Sequence, residues 1–141
     1  MMNLIVDASV GVKWVFEEDG FERARALLDD GYRRIVPDLF YSEVANAVWK
    51  RVRRKDITPV DAVDALEVLF RIPTEQHETK SLLPHALGLA CVHDRSVYDS
   101  LYLALALREE AAMVTADFRL FNALKESDLR GNIRWIDDPA L

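Results

Sequence analysis

A single cysteine in 141 residues excludes any intrachain disulfide, and Cys91 fits a reducing compartment. Its apolar setting, Leu87-Gly88-Leu89-Ala90-Cys91-Val92, predicts a buried structural thiol with no polar neighbour to activate it. Glycine is equally sparse. Gly11, Gly20, Gly31, Gly88 and Gly131 are scattered, which leaves no glycine-rich phosphate loop, and no serine sits in a nucleophile elbow. No apolar run approaches the roughly 20 residues that span a membrane. The first residues reach an acid at Asp7 without a basic start or a long apolar core, so no secretory signal is expected. Excess positive charge is missing too: the net charge of −6 argues against a protein that coats nucleic acid. It does not exclude a nuclease with an acidic site. With no repeat or low-complexity segment, residues 1–141 are expected to form one cytoplasmic domain.

What is present alternates short apolar runs with longer helical patterns. Leu4-Ile5-Val6 reads as a buried strand, followed by a helix packed through Val10, Val12, Trp14 and Val15. Phe21 to Asp30 carries apolar residues at helical spacing, and Gly31 offers a stop. Arg34-Ile35-Val36 is a second strand. A helix from Asp38 to about Arg54 would bury Phe40, Val44, Ala47, Val48 and Val52. Thr58 and Pro59 start another, which reaches Phe70 and buries Val63, Leu66 and Leu69. Further elements are a strand near Arg71 to Glu75, a helix over Ser81 to Val92, and a nearly all-apolar helix capped by Ser96. Then come a strand Ala112 to Thr115, a helix Phe118 to Lys125 and a last strand Ile133 to Ile136. This alternation predicts an α/β fold with a mostly parallel sheet covered on both faces.

Four acids interrupt apolar company: Asp7, Glu43, Asp99 and Asp117. Carboxylates are seldom buried without compensation, and a divalent cation with oxygen ligands is one natural form of it. Asp7 and Asp117 stand at the carboxyl ends of predicted strands, the edge where parallel sheets bind ligands. Each also has a local alternative as a helix cap. Asp99 completes a capping-box pattern with Ser96. Glu43 lies inside its helix on a stripe with Asn46 and Lys50, beside the core stripe of Phe40, Val44 and Val48. A surface stripe explains that placement equally well. Ser9 and Thr115, each two residues from a strand-end aspartate, are polar companions that could orient a water or a phosphate oxygen.

Rival motifs are weaker. His77, His85 and His93 recur every eight residues, which matches no metal pattern and predicts solvated imidazoles. Lys50-Arg51-Val52-Arg53-Arg54-Lys55 is the one dense basic run, either a solvated helix end or an RNA-backbone contact through Lys50, Arg51, Arg53 and Arg54. A phosphatase or receiver domain would need further acids beside the strand-end aspartate, where Ala8 and Ser9 stand.

Four segments taken in order carry a resemblance. They are Leu4-Ile5-Val6-Asp7-Ala8-Ser9-Val10, Pro37 to Ala47 around Glu43, Ser96 to Ala106 around Asp99, and Val114-Thr115-Ala116-Asp117-Phe118-Arg119-Leu120. Together they resemble the PIN-domain ribonucleases, most closely the VapC-type toxins of toxin–antitoxin pairs. The resemblance implies a three-layer α/β/α sandwich with Asp7, Glu43, Asp99 and Asp117 in one pocket holding Mg²⁺ or Mn²⁺. Asp7, Asp99 and Asp117 would be ligands, and Glu43 would act through water or on a second ion. Ser9, Asn46 and Thr115 match supporting positions. The implied activity is metal-dependent hydrolysis of RNA, with a homodimer and a cognate antitoxin as partners. Two alternatives share the same acids: a module that mainly binds an antitoxin in a regulatory complex, and a PIN nuclease of RNA processing or decay.

Overall fold

Residues with branched and apolar side chains build the centre of the sheet. In the computed structural model, which describes residues 1–141, strands β1 (Met2–Val6), β2 (Tyr32–Pro37) and β4 (Ala112–Thr115) bury their carboxyl-terminal halves. Two short edge strands, β3 (Glu75–His77) and β5 (Ile133–Trp135), complete an all-parallel sheet in the order β3-β2-β1-β4-β5. Such a sheet needs helices on both faces. They are α1 (Ala8–Val15), α2 (Phe21–Ala26), α3 (Leu39–Arg53), α4 (Pro59–Arg71), α5 (Leu83–His93), α6 (Val97–Arg108) and α7 (Phe118–Leu124). The result is the expected three-layer α/β fold, parallel throughout.

The chain runs outward from β1 through β2 to β3, then crosses to β4 and β5 on the other side. The strand order reverses between β1 and β4, which pair in register Val6↔Val114. A crevice forms outside the strand ends at such a switch point. Beneath it lies one continuous core of 30 buried residues, to which α6 contributes an unbroken run from Leu101 to Ala106. Gly11 lets α1 approach α3, since a Cβ there would stand 2.5 Å from the Phe40 ring. No helix is long and apolar enough to cross a membrane.

Several local expectations shift. The third strand begins at Glu75, because Pro73 has no N–H for the ladder. The helix from Phe21 ends at Ala26, and Arg34 donates to the freed carbonyls of Leu27 (3.1 Å) and Asp29 (3.2 Å) and to that of Pro73 (3.1 Å). Thr58 and Asp61 form a full capping box at the start of α4. That helix buries Ala65 and Leu69, whereas Val63 is 57% exposed, just outside the buried stripe. Cys91 is exposed, not buried, because α5 turns its 83, 87 and 91 positions to solvent. His77 and His93 are mostly covered, contrary to the solvated imidazoles expected, while His85 is exposed.

Candidate active site

A cavity of about 390 Å³ opens at the β1/β4 switch point, and all four acids line it. Asp7 arrives at the end of β1, Glu43 on the second turn of α3, Asp99 on the first turn of α6, and Asp117 between β4 and α7. Ser9, Asn46 and Lys50 share the wall. Thr115 is fully buried behind Asp7.

Each carboxylate except that of Asp99 has one oxygen anchored and the other free of protein hydrogen bonds. Asp7 Oδ2 accepts the Ser9 hydroxyl at 2.7 Å and the Thr115 hydroxyl at 2.8 Å. Those hydroxyls are themselves held, since Ala116 N–H donates to Ser9 Oγ (2.9 Å) and Asp117 N–H donates to Thr115 Oγ1 (3.0 Å). Asp7 makes no side-chain cap on α1, although it occupies the cap position. Asp117 does cap its helix: Oδ1 accepts from the amides of Arg119 (3.1 Å) and Leu120 (3.3 Å). Glu43 Oε1 accepts the Tyr102 hydroxyl at 2.7 Å. Ser96 Oγ accepts the Asp99 amide at 3.0 Å, but the reciprocal half of the capping box is not formed, so no backbone N–H holds the Asp99 carboxylate.

Burial is the main electrostatic cost. Asp7 is 7% exposed. Its pKa is pushed up to about 6 by desolvation, with smaller upward pressure from Asp99 and Glu43, against the lowering effect of the Ser9 and Thr115 hydrogen bonds. Glu43 is raised by burial and by Asp99, partly offset by Tyr102. Asp99 is raised by burial and then by Asp117, partly offset by Ser96 and Arg95. The acids therefore feel one another across the cavity.

The donor set fits a hard divalent cation: carboxylate oxygens, hydroxyls and an amide, with no imidazole or thiolate on the wall. No three of the four acids bring ligand oxygens within 4.8 Å. That spacing suits a cation that keeps part of its hydration shell, as Mg²⁺ does. A tighter cluster lies elsewhere, where Glu75, His77 and Glu109 join β3 to the end of α6. Arg33 binds Glu75 through Nε and Nη2, both at 2.6 Å, and Arg108 Nη2 lies 3.0 Å from His77 Nδ1. Two guanidinium groups already balance its two carboxylates, so it is a closed ion-pair network that fastens the edge strand.

The basic run divides. Lys50 faces the cavity, whereas Arg51 pairs with Glu18 and stacks over Phe16 with 4.3 Å to the ring centroid. Arg53 lies over Trp49 and Arg54 pairs with Asp56 at 3.3 Å. Tyr102 is the site residue that periodicity missed. It sits three residues after Asp99, and a buried tyrosine hydroxyl always asks for a partner, but nothing local indicates which.

The PIN domain family model matches residues 4–126. "Ribonuclease VapC3" of Pyrobaculum aerophilum is 32% identical over 121 residues, 84% of this chain and 92% of the relative. "Ribonuclease VapC9" of Mycobacterium tuberculosis is 31% identical over 117 residues, 83% and 87% of the two chains. Among solved structures, PAE2754 from Pyrobaculum aerophilum superposes with a TM-score of 0.69 at 22% identity, covering 96% of this chain and 84% of that one. VapBC2 from Rickettsia felis, bound to a DNA fragment from its promoter, gives 0.66 at 13% identity, covering 95% and 98%. At such identities these two show a shared fold, and the sequence matches carry the rest. Four ordered acids at the β1/β4 switch point and these matches across more than four fifths of its length establish that the chain belongs to the PIN-domain family, among the VapC ribonucleases.

Proposed function

We propose that this protein is a metal-dependent endoribonuclease that hydrolyses RNA phosphodiester bonds as the toxin of a toxin–antitoxin pair. One observation carries the reading: Asp7, Glu43 and Asp117 each have one oxygen tied down and one free, around a cavity that Asp99 and Lys50 complete. Tying one oxygen orients the other without using up its capacity as a ligand. Asp7, Asp99 and Asp117 would hold Mg²⁺ or Mn²⁺, with Glu43 reaching it through water or holding a second ion. When bound, the cation supplies Lewis acidity toward the phosphate and a nucleophilic water near neutral pH.

The chain's own groups do the remainder. Ser9 and Thr115 keep Asp7 oriented and favour its ionised form. Lys50 gives the rim a positive charge that draws a phosphate into an otherwise acidic cavity. Asn46, on the wall one turn before Lys50, offers an amide donor to the substrate. Arg53 extends positive charge along the exposed end of α3, while Arg51 is occupied by Glu18 and Arg54 by Asp56.

Two apolar surfaces support the partners. A groove of about 270 Å³ between α3 and α4 is lined by Val48, Trp49, Val52, Ala62, Val63 and Leu66, and suits an amphipathic antitoxin segment. An antitoxin arginine entering the acid cavity would take the cation's place. The bare face of α5, with Leu83, Leu87 and Val92 exposed, suits a second copy of the chain in a cytoplasmic homodimer. The test is RNA cleavage by purified protein with Mg²⁺ or EDTA, with Asp99→Asn as the control. Cleavage is expected only in the wild type with metal. Cleavage that persists in EDTA, or full activity in Asp99→Asn, would overturn the proposal.

A further inference from the structure

We infer that Tyr102 is a positioning residue for the acid cavity, its phenol fixing the Glu43 carboxylate so that Oε2 remains available to a cation. This rests on reading the cavity as a cation site.

The four acids are held by different means. Asp7 and Asp117 have short side chains, and their anchors are neighbours in sequence or on the paired strand: Ser9, Thr115, and the amides of Arg119 and Leu120. Glu43 has a longer side chain in mid-helix, where no backbone N–H is free and no hydrogen bond comes from α3 itself. Left alone, it would sample several rotamers. Its one anchor comes from α6, 59 residues away.

Tyr102 is suited to that task. It is 1% exposed, so its hydroxyl has no recourse to bulk water. The hydroxyl donates to Glu43 Oε1 at 2.7 Å. Tyr102 lies one turn beyond Asp99 on α6. The phenol thereby ties α6, which carries Asp99, to α3, which carries Glu43. A tyrosine that merely filled the core would need an acceptor, but not one on a carboxylate residue that lines the cavity. Outer groups that orient metal-binding carboxylates typically matter 10–100-fold to affinity or rate.

The experiment is a double-mutant cycle of Tyr102→Phe and Glu43→Gln in the full chain, read by calorimetric Mn²⁺ affinity and by kcat and KM for RNA cleavage. A crystal structure of the Tyr102→Phe variant reports the Glu43 rotamer. Tyr102→Phe is expected to weaken Mn²⁺ binding about tenfold and lower kcat about tenfold, with KM for RNA unchanged. Added to Glu43→Gln, it should cost less than about twofold more, because the group it positions is already disabled. Wild-type Mn²⁺ affinity in Tyr102→Phe, an unmoved Glu43, or losses that multiply in the double variant would each overturn the inference. If the wild type binds Mn²⁺ but cuts no RNA, the nuclease reading falls, and the Mn²⁺ cycle alone then upholds or overturns the role of Tyr102. No Mn²⁺ binding by the wild type would overturn both.

Discussion

Replacing Asp7 with Asn should stabilise the metal-free protein while abolishing its activity. The Asn carbonyl can still accept the Ser9 and Thr115 hydroxyls, so the local hydrogen bonds survive. What disappears is the charge. Folding raises the Asp7 pKa from 3.8 to about 6, chiefly by burial. A gap of about two units corresponds to roughly 3 kcal/mol that the native state gives up at neutral pH to keep Asp7 ionised. Water entering the cavity reduces that figure, so a gain of roughly 1–3 kcal/mol is expected for the variant. For a chain of this size it amounts to roughly 3–10 °C in Tm.

The sign and window follow from the direction of the shift. Because the folded pKa is the higher one, wild-type stability falls as pH rises from about 4 to about 6, and the loss is complete above that. The advantage of the variant should therefore be full at pH 8 and small near pH 4. Thermal melts in EDTA at both pH values test this. Added Mg²⁺ should raise the wild-type Tm by mass action and leave the variant unmoved. A variant less stable than wild type at pH 8 in EDTA, or equally favoured at both pH values, would refute the reasoning.

Asp117 combines a helix cap with a cavity oxygen, and two substitutions separate them. Asp117→Ala should cost about 1 kcal/mol in urea melts, Asp117→Asn should keep the cap and the stability, and both should abolish cleavage. Thr115→Val removes one of the two hydrogen bonds that favour ionised Asp7, so the Asp7 pKa should climb further above about 6. The acid limb of the pH–cleavage profile should then move to higher pH, and an unmoved limb would dissociate Asp7 from it.

The acids differ in how far local patterns exposed them. Asp7 and Asp117 were visible because short apolar strands mark their own ends, and a parallel sheet gathers its strand ends on one edge. Glu43 was visible only as a stripe with Asn46 and Lys50, and that stripe does line the cavity. Asp99 looked like half of a capping box. Only the amide half exists, which leaves its carboxylate without a backbone partner. Tyr102 could not be read in the chain, because its partner is 59 residues distant and its own surroundings are uniformly apolar. The same blindness to long-range pairing hid the contacts of His77 with Arg108 and Glu109 and that of Arg34 with the Pro73 carbonyl. Cys91 was misjudged for a different reason. An apolar composition does not say which side of a helix is covered, and α5 leaves one apolar face bare.

The hydroxyl pair beside Asp7 explains why so costly a charge can persist at this position. Ser9 and Thr115 lower the Asp7 pKa but do not offset its burial, so the carboxylate remains under strain in the metal-free protein. More complete compensation was chemically available, because Lys50 already lines the same cavity. A salt bridge to Asp7 would have relieved the charge and occupied the ligand oxygen in one step. The cavity instead directs both hydroxyls to Oδ2 and leaves Oδ1 without a protein partner. Asp117 and Glu43 repeat the arrangement with backbone amides and a phenol. Neutral donors orient an acid without cancelling its charge. Unrelieved repulsion among oriented carboxylates is the condition under which a divalent cation binds most favourably, and the stability forgone at Asp7 is the cost of keeping it.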